Sequence, residues 1–91
     1  MSGEEDWPRR PAIVWAPEAR GNLRAIDRET ALRILHCLDR YLVRRDGDVK
    51  KLKPPRTDFR LRCGDYRLFF DLAGNDTLHI SAVLHRRDAY R

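Results

Sequence analysis

The sequence predicts an α+β domain in which a hairpin of two helices packs on one face of a largely antiparallel sheet. Two patterns support this fold class. In the first half of the chain, apolar residues recur at intervals of three and four, as they do on one face of a helix. After Gly47 apolar and polar residues alternate, which is typical of strands with one buried face. The predicted order of elements is β-α-α-β-β-β.

The chain has 91 residues, enough for one domain with a thin two-layer core and a single site. Residues 1–10 hold acidic residues and a proline where a signal peptide needs a basic start and an apolar run. We therefore expect a flexible lead over residues 1–10 and a domain over residues 11–91. Since no later stretch approaches membrane-spanning length, we expect a cytoplasmic protein without a membrane partner.

The first half of the chain predicts one strand and two helices. Residues 12–15 are short, apolar and β-prone, and Pro17 follows where a helix accepts proline, in its first turn. Asp27 can cap a second helix, which residues 46–48 can end. The connection between the helices is so short that we expect an antiparallel hairpin facing the sheet. The apolar stripes of the two helices are Ala19, Leu23 and Ile26, then Ala31, Ile34, Leu35, Leu38 and Leu42.

The clearest local signal is a β-hairpin. Residues 59–63 and 66–70 alternate and flank Gly64-Asp65, and glycine first in a two-residue loop is what a type II′ turn requires. That turn fixes the register, which pairs Cys63 with Tyr66, Arg62 with Arg67, Leu61 with Leu68, Arg60 with Phe69 and Phe59 with Phe70. Three arginines then share the face opposite the apolar one. Because like charges across a ladder are destabilising, we expect an anionic partner there.

The last strand is predicted over residues 78–84. If Leu78, Ile80 and Ala82 join the apolar face in regular alternation, Leu84 lies opposite Tyr66 and the next residue leaves on the arginine side. The residues expected to emerge there, beside Arg62 and Arg67, are His85, Arg86, Arg87 and Tyr90.

Three lysines that follow the second helix predict an edge strand. Lys50, Lys51 and Lys53 precede two prolines and most simply mark a protected edge strand, with steering of RNA as a second interpretation.

Cys37 and Cys63 occupy periodic apolar positions without a CxxC motif or a Cys/His cluster. We therefore expect reduced core thiols rather than a disulfide.

The charge balance favours a polyanionic partner. Lys and Arg number 19 against 14 Asp and Glu, a net charge of +5 with a pI near 9.8, which suits RNA or an acidic protein. The sequence has no phosphate-binding glycine loop, nucleophile elbow, zinc-ligand spacing or carboxylate array for magnesium, so we expect no metal and no cofactor.

RNA can be cut without a metal, because its 2′-hydroxyl can attack the neighbouring phosphate if cations stabilise the developing charge. Arg60, Arg62 and Arg67 are candidates to hold phosphates, and Arg86 or Arg87 to stabilise the transition state. His85 or Tyr90 is the candidate for proton transfer. The plainer interpretations are a solvated strand face, an ordinary surface histidine and a packing tyrosine. Phe69 can stack a base or cover a partner's apolar side chain.

Three stretches, in this order, resemble the RelE/ParE superfamily of bacterial toxin-antitoxin toxins. They are Asp48-Val-Lys-Lys-Leu-Lys53, Phe59-Arg-Leu-Arg-Cys-Gly-Asp-Tyr-Arg-Leu-Phe-Phe70 and Val83-Leu-His-Arg-Arg-Asp-Ala-Tyr-Arg91. The likeness runs from about Ile13 to the C-terminus. It implies a RelE-like fold and a cognate antitoxin as partner, with which the toxin can form a hetero-oligomer.

In the RelE branch, the resemblance implies metal-independent cleavage of messenger RNA in the ribosomal A site. The family's basic pair would fall on Arg60 and Arg62, and its arginine after the turn on Arg67. Its C-terminal arginine would be Arg86 or Arg87, and its terminal tyrosine Tyr90, which favours the RelE branch. The alternatives are a ParE-like inhibitor of DNA gyrase and an inactive member that only binds its antitoxin.

Overall fold

A computed structural model describes residues 11–74 and 76–89. The chain forms a five-stranded sheet of spatial order β1-β5-β4-β3-β2, in which β1 and β5 are parallel and the other neighbours antiparallel. The strands are β1 (Ala12–Trp15), β2 (Asp48–Lys51), β3 (Phe59–Cys63), β4 (Tyr66–Ala73) and β5 (Thr77–His85), and the helices are α1 (Pro17–Ala25), α2 (Arg28–Arg44) and α3 (Arg86–Ala89). The α+β class is confirmed; the observed order has one strand more than the predicted β-α-α-β-β-β, and the short helix α3 follows the last strand. The flexible lead expected over residues 1–10 lies outside the described residues.

The ends of the helices follow from local chemistry. Pro17 occupies the first turn of α1, where its missing N–H leaves no hydrogen bond unmade. The Asp27 carboxylate accepts a hydrogen bond from the Thr30 backbone N–H at 3.1 Å and so caps α2. After α2, Arg45 adopts a left-handed conformation with φ of 56°. Within residues 11–74 and 76–89, none of the helices is long and apolar enough to cross a membrane.

Helices α1 and α2 pack on the same face of the sheet. Ala19 of α1 and the α2 residues Ile34, Leu38 and Leu42 are buried against it. The buried strand residues in this core are Leu61, Cys63, Leu68, Phe70, Leu78, Ile80 and Val83. The predicted helix stripes and the apolar face of the hairpin therefore form one core.

The β3-β4 hairpin has the predicted register. Arg62 pairs with Arg67 and Arg60 with Phe69, and the other three pairs also agree. Gly64 has φ of 61°, the left-handed value that the first position of a type II′ turn requires. The local turn chemistry therefore determines which side chains share a face of this ribbon.

The last strand differs from the prediction because it contains a β-bulge. The β4-β5 pairing shifts between Phe69 and Phe70: Phe70 pairs with Ile80, whereas Phe69 pairs with Ala82. Ser81 is the extra residue of β5, and its hydroxyl donates a hydrogen bond to the Phe69 carbonyl oxygen at 3.2 Å. One extra residue moves every later side chain to the opposite face.

The expected surroundings of Leu84 and His85 were therefore wrong. Leu84 pairs with Arg67, and His85 pairs with Tyr66 on the helix side rather than leaving on the arginine side. Val83 instead joins the core and is 2% exposed. Its backbone N–H donates to the Asn22 side-chain oxygen of α1 at 3.0 Å.

The expectation of two reduced thiols was also wrong. Cys37 of α2 and Cys63 at the end of β3 form a disulfide, and their Cα atoms are 5.9 Å apart. That separation is typical of disulfides, for which about 5.5–6 Å is most common. The two residues are 26 positions apart, so only the packing of α2 on β3 brings them together.

Candidate functional site at the hairpin turn

The face of the sheet opposite the helices holds the three arginines of the hairpin, and we call it the arginine face. Arg62 is exposed there and Arg60 is half-buried. The neighbouring strand β2 places Lys50 opposite Arg60 and Asp48 opposite Arg62. The predicted phosphate-binding pair thus lies on one strand, with one further exposed cation beside it.

Arg67 lies on the same face but is buried, with 5% of its surface exposed. Its guanidinium donates hydrogen bonds to the carbonyl oxygens of Gly64 and Tyr66, both at 2.9 Å. The side chain therefore folds back onto the turn instead of extending into solvent. Arg62 and Arg67 lie directly opposite each other in the hairpin, and only Arg62 has an exposed side chain.

The start of α3 is anchored to the hairpin turn. The Arg86 backbone N–H donates to the Asp65 carbonyl oxygen at 2.7 Å, and the Arg86 guanidinium lies 4.0 Å from the Asp65 carboxylate. Arg86 and Arg87 are both exposed. As predicted, the C-terminal arginines emerge at the turn that follows Arg62.

His85 lies on the helix side of the sheet, opposite the face that holds Arg60, Arg62 and Arg67. Its ring packs edge-on against Tyr66, with centroids 5.3 Å apart and planes at 80°. Its Nδ1 accepts a hydrogen bond from the Arg87 backbone N–H at 3.2 Å. Since Nδ1 is an acceptor, the ring in this arrangement is the neutral tautomer with its proton on Nε2.

Phe69, a candidate for base stacking, is buried at 4% exposure. The guanidinium of Arg56 lies over its ring, 5.2 Å from the centroid, and Arg56 also donates to the Asp58 carboxylate at 3.0 Å. Arg56 is a member of the arginine face that the sequence reasoning missed. The Pro54-Pro55 pair, which turns the chain back over the sheet, was the signal that could have indicated it.

Of the three lysines, Lys50 and Lys51 lie on opposite faces of the sheet. Strand β2 is an edge strand, as predicted, and Lys50 lies on the arginine face. Lys51 points to the other face, where its ammonium lies 5.0 Å from the Phe59 ring centroid and donates to the Thr57 carbonyl at 3.4 Å. Lys53 follows the end of β2 and is exposed.

No group of three or more His, Cys, Asp or Glu residues among those the structure describes can hold a metal ion. Tyr90, one of the two candidates for proton transfer, lies outside the described residues. The hairpin turn brings exposed arginines of β3 and α3 to one end of the sheet, while the His85 ring packs against Tyr66 on the helix side.

Comparison with known families agrees with this architecture. The family model of the ParE toxin of type II toxin-antitoxin systems, parDE, matches residues 13–90. No curated protein matches the chain.

Three solved structures are similar to the chain. A RelB-RelE antitoxin-toxin complex from Methanococcus jannaschii matches with 23% identity and a TM-score of 0.68, over 85% of this chain and 94% of that chain. An archaeal RelE-RelB complex from Pyrococcus horikoshii OT3 matches with 19% identity and a TM-score of 0.69, over 86% and 97%. The toxin-antitoxin complex RelBE2 from Mycobacterium tuberculosis matches with 24% identity and a TM-score of 0.61, over 86% and 100%. At these identities the likeness shows the fold.

Proposed function

The chain belongs to the ParE toxin family of type II toxin-antitoxin systems, and from the exposed arginines at its hairpin turn we propose that it arrests growth by cutting messenger RNA on the ribosome without a metal ion. Membership makes the protein a toxin of the RelE/ParE superfamily. The main support for an RNA target is the cluster of exposed arginines at one turn. Arg62 comes from β3, and the Arg86–Asp65 hydrogen bond of 2.7 Å holds the start of α3 beside the same turn. A cluster of guanidinium groups suits consecutive phosphates of an RNA strand.

In the proposed reaction, the 2′-hydroxyl gives its proton to solvent water as its oxygen attacks the adjacent phosphorus, and the bond from phosphorus to the 5′-oxygen breaks, leaving a 2′,3′-cyclic phosphate. Arg60, Arg62 and Lys50 hold the flanking phosphates. Arg86 or Arg87 stabilises the charge on the pentavalent phosphate, where fixed cations act most strongly.

Proton transfer to the leaving 5′-oxygen is assigned to Tyr90. His85 is less suited to this step because it packs against Tyr66 on the helix side and its Nδ1 already accepts from Arg87. Arg67 acts as a positioning residue, because its guanidinium holds the carbonyls of the turn. The reaction takes place in the cytoplasm, where ribosomes and message meet. A cognate antitoxin forms a hetero-oligomer with the toxin and blocks the arginines until it is removed.

The test adds the purified toxin to ribosomes programmed with a defined message and maps breaks by primer extension. Arg62→Ala should reduce the cleavage rate by about tenfold to a hundredfold, because the message loses a phosphate contact that positions it for attack. Arg24→Ala is the matched control, since Arg24 is an exposed arginine of α1, a helix that packs on β1 and β5. An uncut message in the presence of folded wild-type toxin, or equal effects of the two variants, would contradict the proposal.

Inhibition of DNA gyrase is the second candidate. Two observations favour it: the matching family model is that of a ParE toxin, and two predicted nuclease residues, Arg67 and His85, are engaged in internal contacts. A gyrase supercoiling assay, run beside the ribosome assay, separates the candidates. Gyrase-dependent DNA breaks with an intact message would select gyrase as the target.

A further inference from the structure

A cleft of about 920 Å³ lies between α2 and the hairpin turn, on the helix side of the sheet, and we call it the α2 cleft. Its volume falls within the roughly 300–1,000 Å³ of pockets that bind small molecules. The Cys37–Cys63 disulfide forms part of its lining, and the proposed cleavage reaction does not use this space. Five residues of the lining can contact a ligand through their side chains: Arg33, His36, Arg40, Tyr66 and His85.

One wall of the α2 cleft is cationic. Arg33, His36 and Arg40 are spaced by three and four residues, so they lie on one face of α2. Arg33 pairs with Glu29 at 3.3 Å, but both side chains are more than three-quarters exposed, and such a pair exchanges readily for a phosphate. Arg40 is exposed. This wall therefore offers guanidinium groups to an anion that enters the cleft.

The other wall is aromatic. Tyr66 and His85 are half-exposed, and their rings meet edge to face at 5.3 Å. Because the Nδ1 of His85 accepts from Arg87, the Nε2–H is the imidazole donor left for a ligand. Aromatic rings at a cationic groove are the arrangement on which bases of single-stranded nucleic acids stack.

The balance of charge in the α2 cleft also favours a phosphate. Two arginines of α2, Arg33 and Arg40, line it together with two aspartates, Asp39 and Asp65. The Asp65 carboxylate lies 4.0 Å from the Arg86 guanidinium, which offsets its charge. Arg62 also borders the cleft, but its side chain lies on the arginine face, so a strand that follows the turn passes from the cleft to that face.

We propose that the α2 cleft binds one nucleotide of single-stranded RNA, with the base on the Tyr66–His85 pair and the phosphate on Arg40. This site would select the nucleotide next to the one that is cut, and in that respect it rests on the proposed function. Binding itself needs no ribosome and no cleavage, so it is measured separately.

The first experiment uses fluorescence anisotropy with a 5′-fluorescein-labelled hexauridylate whose 2′-positions are methylated, which prevents cleavage. Arg40→Glu should weaken binding by about tenfold or more, because a phosphate contact is replaced by repulsion. Arg44→Glu makes the same charge change one turn further along α2, outside the lining, and should weaken binding by less than about threefold. Equal losses in the two variants would overturn the site, since the oligonucleotide would then sense only net charge.

The second experiment follows the imidazole signals of the folded protein by NMR while adenosine 5′-monophosphate is added. The signals of His36 and His85 should shift, whereas that of His79, which pairs with Val14 and Asp71 away from the cleft, should not. Uniform shifts of all three histidines, or none, would overturn the proposal. If the α2 cleft binds the nucleotide but the message on the ribosome stays uncut, only the nuclease proposal is refuted. If the message is cut but the α2 cleft does not bind the nucleotide, only the proposal of a nucleotide site in the cleft is refuted.

Discussion

The guanidinium of Arg67, near the start of β4, donates a hydrogen bond to the carbonyl oxygen of Gly64 in the hairpin turn, 2.9 Å away. The same nitrogen donates to the Tyr66 carbonyl oxygen, also at 2.9 Å. A cation that the strand pattern directs toward solvent thus closes the hairpin turn. The turn also holds Arg86, whose backbone N–H donates a hydrogen bond to the Asp65 carbonyl oxygen. The position of the exposed Arg86 therefore depends on the buried Arg67.

Arg67→Ala should lower the free energy of unfolding by about 2–3 kcal/mol, because the buried carbonyl oxygens of Gly64 and Tyr66 lose the charged hydrogen-bond donor that they share. Arg62→Ala, a change at the exposed partner across the ladder, should alter it by less than about 0.5 kcal/mol. Urea unfolding followed by circular dichroism measures both. Similar stabilities for the two variants would show that Arg67 does not hold the turn.

Reduction of the Cys37–Cys63 disulfide should destabilise the protein. For a sequence separation of 26 residues, the loss of loop constraint in the unfolded chain corresponds to about 3.5 kcal/mol. Urea unfolding with and without dithiothreitol measures the difference. A Cys37→Ala/Cys63→Val double variant is the control, since its unfolding should not respond to the reductant. Two titratable thiols in the folded, unreduced protein would contradict the bridge.

The bulge at Ser81 reverses the expected roles of Val83 and Leu84. Val83 is 2% exposed in the core, whereas Leu84 is only partly buried and pairs with Arg67. Val83→Ala should therefore cost about 2 kcal/mol of unfolding free energy. Leu84→Ala should cost less than about 1 kcal/mol. Thermal and urea unfolding give the comparison, and regular alternation along β5 would produce the reverse order.

The cap of α2 should make stability depend on pH in the acid range. The hydrogen bond from Thr30 lowers the pKa of the Asp27 carboxyl below its usual 3.8. A lowered folded-state pKa stabilises the protein above the unfolded value, and this contribution is lost as the pH falls through the folded value.

Wild-type protein should therefore lose more stability between about pH 5 and pH 2.5 than Asp27→Asn. The asparagine keeps a side-chain oxygen for the Thr30 N–H but does not titrate. The urea midpoint at each pH is the measurement. Parallel curves for the two proteins would exclude Asp27 as a source of the acid dependence.

Much of the hairpin and of the helix boundaries could be predicted because their causes are local. Gly64-Asp65 selects the turn, the turn selects the register, and Asp27 supplies the cap that starts α2. The candidate arginines at the turn were predicted on the same basis. In contrast, residues 82–84 are apolar at successive positions, so their pattern is compatible with either face of the sheet.

The sequence by itself determined the fold class, the hairpin register and the gathering of basic residues at one turn, because these depend on spacing and on short-range backbone geometry. Only the tertiary structure decided three further features. The Ser81 bulge turned His85 to the helix side, the packing of α2 on β3 joined Cys37 to Cys63, and Arg67 folded onto its own turn. Each of these depends on where atoms from separate elements meet in space, which residue spacing along the chain does not specify.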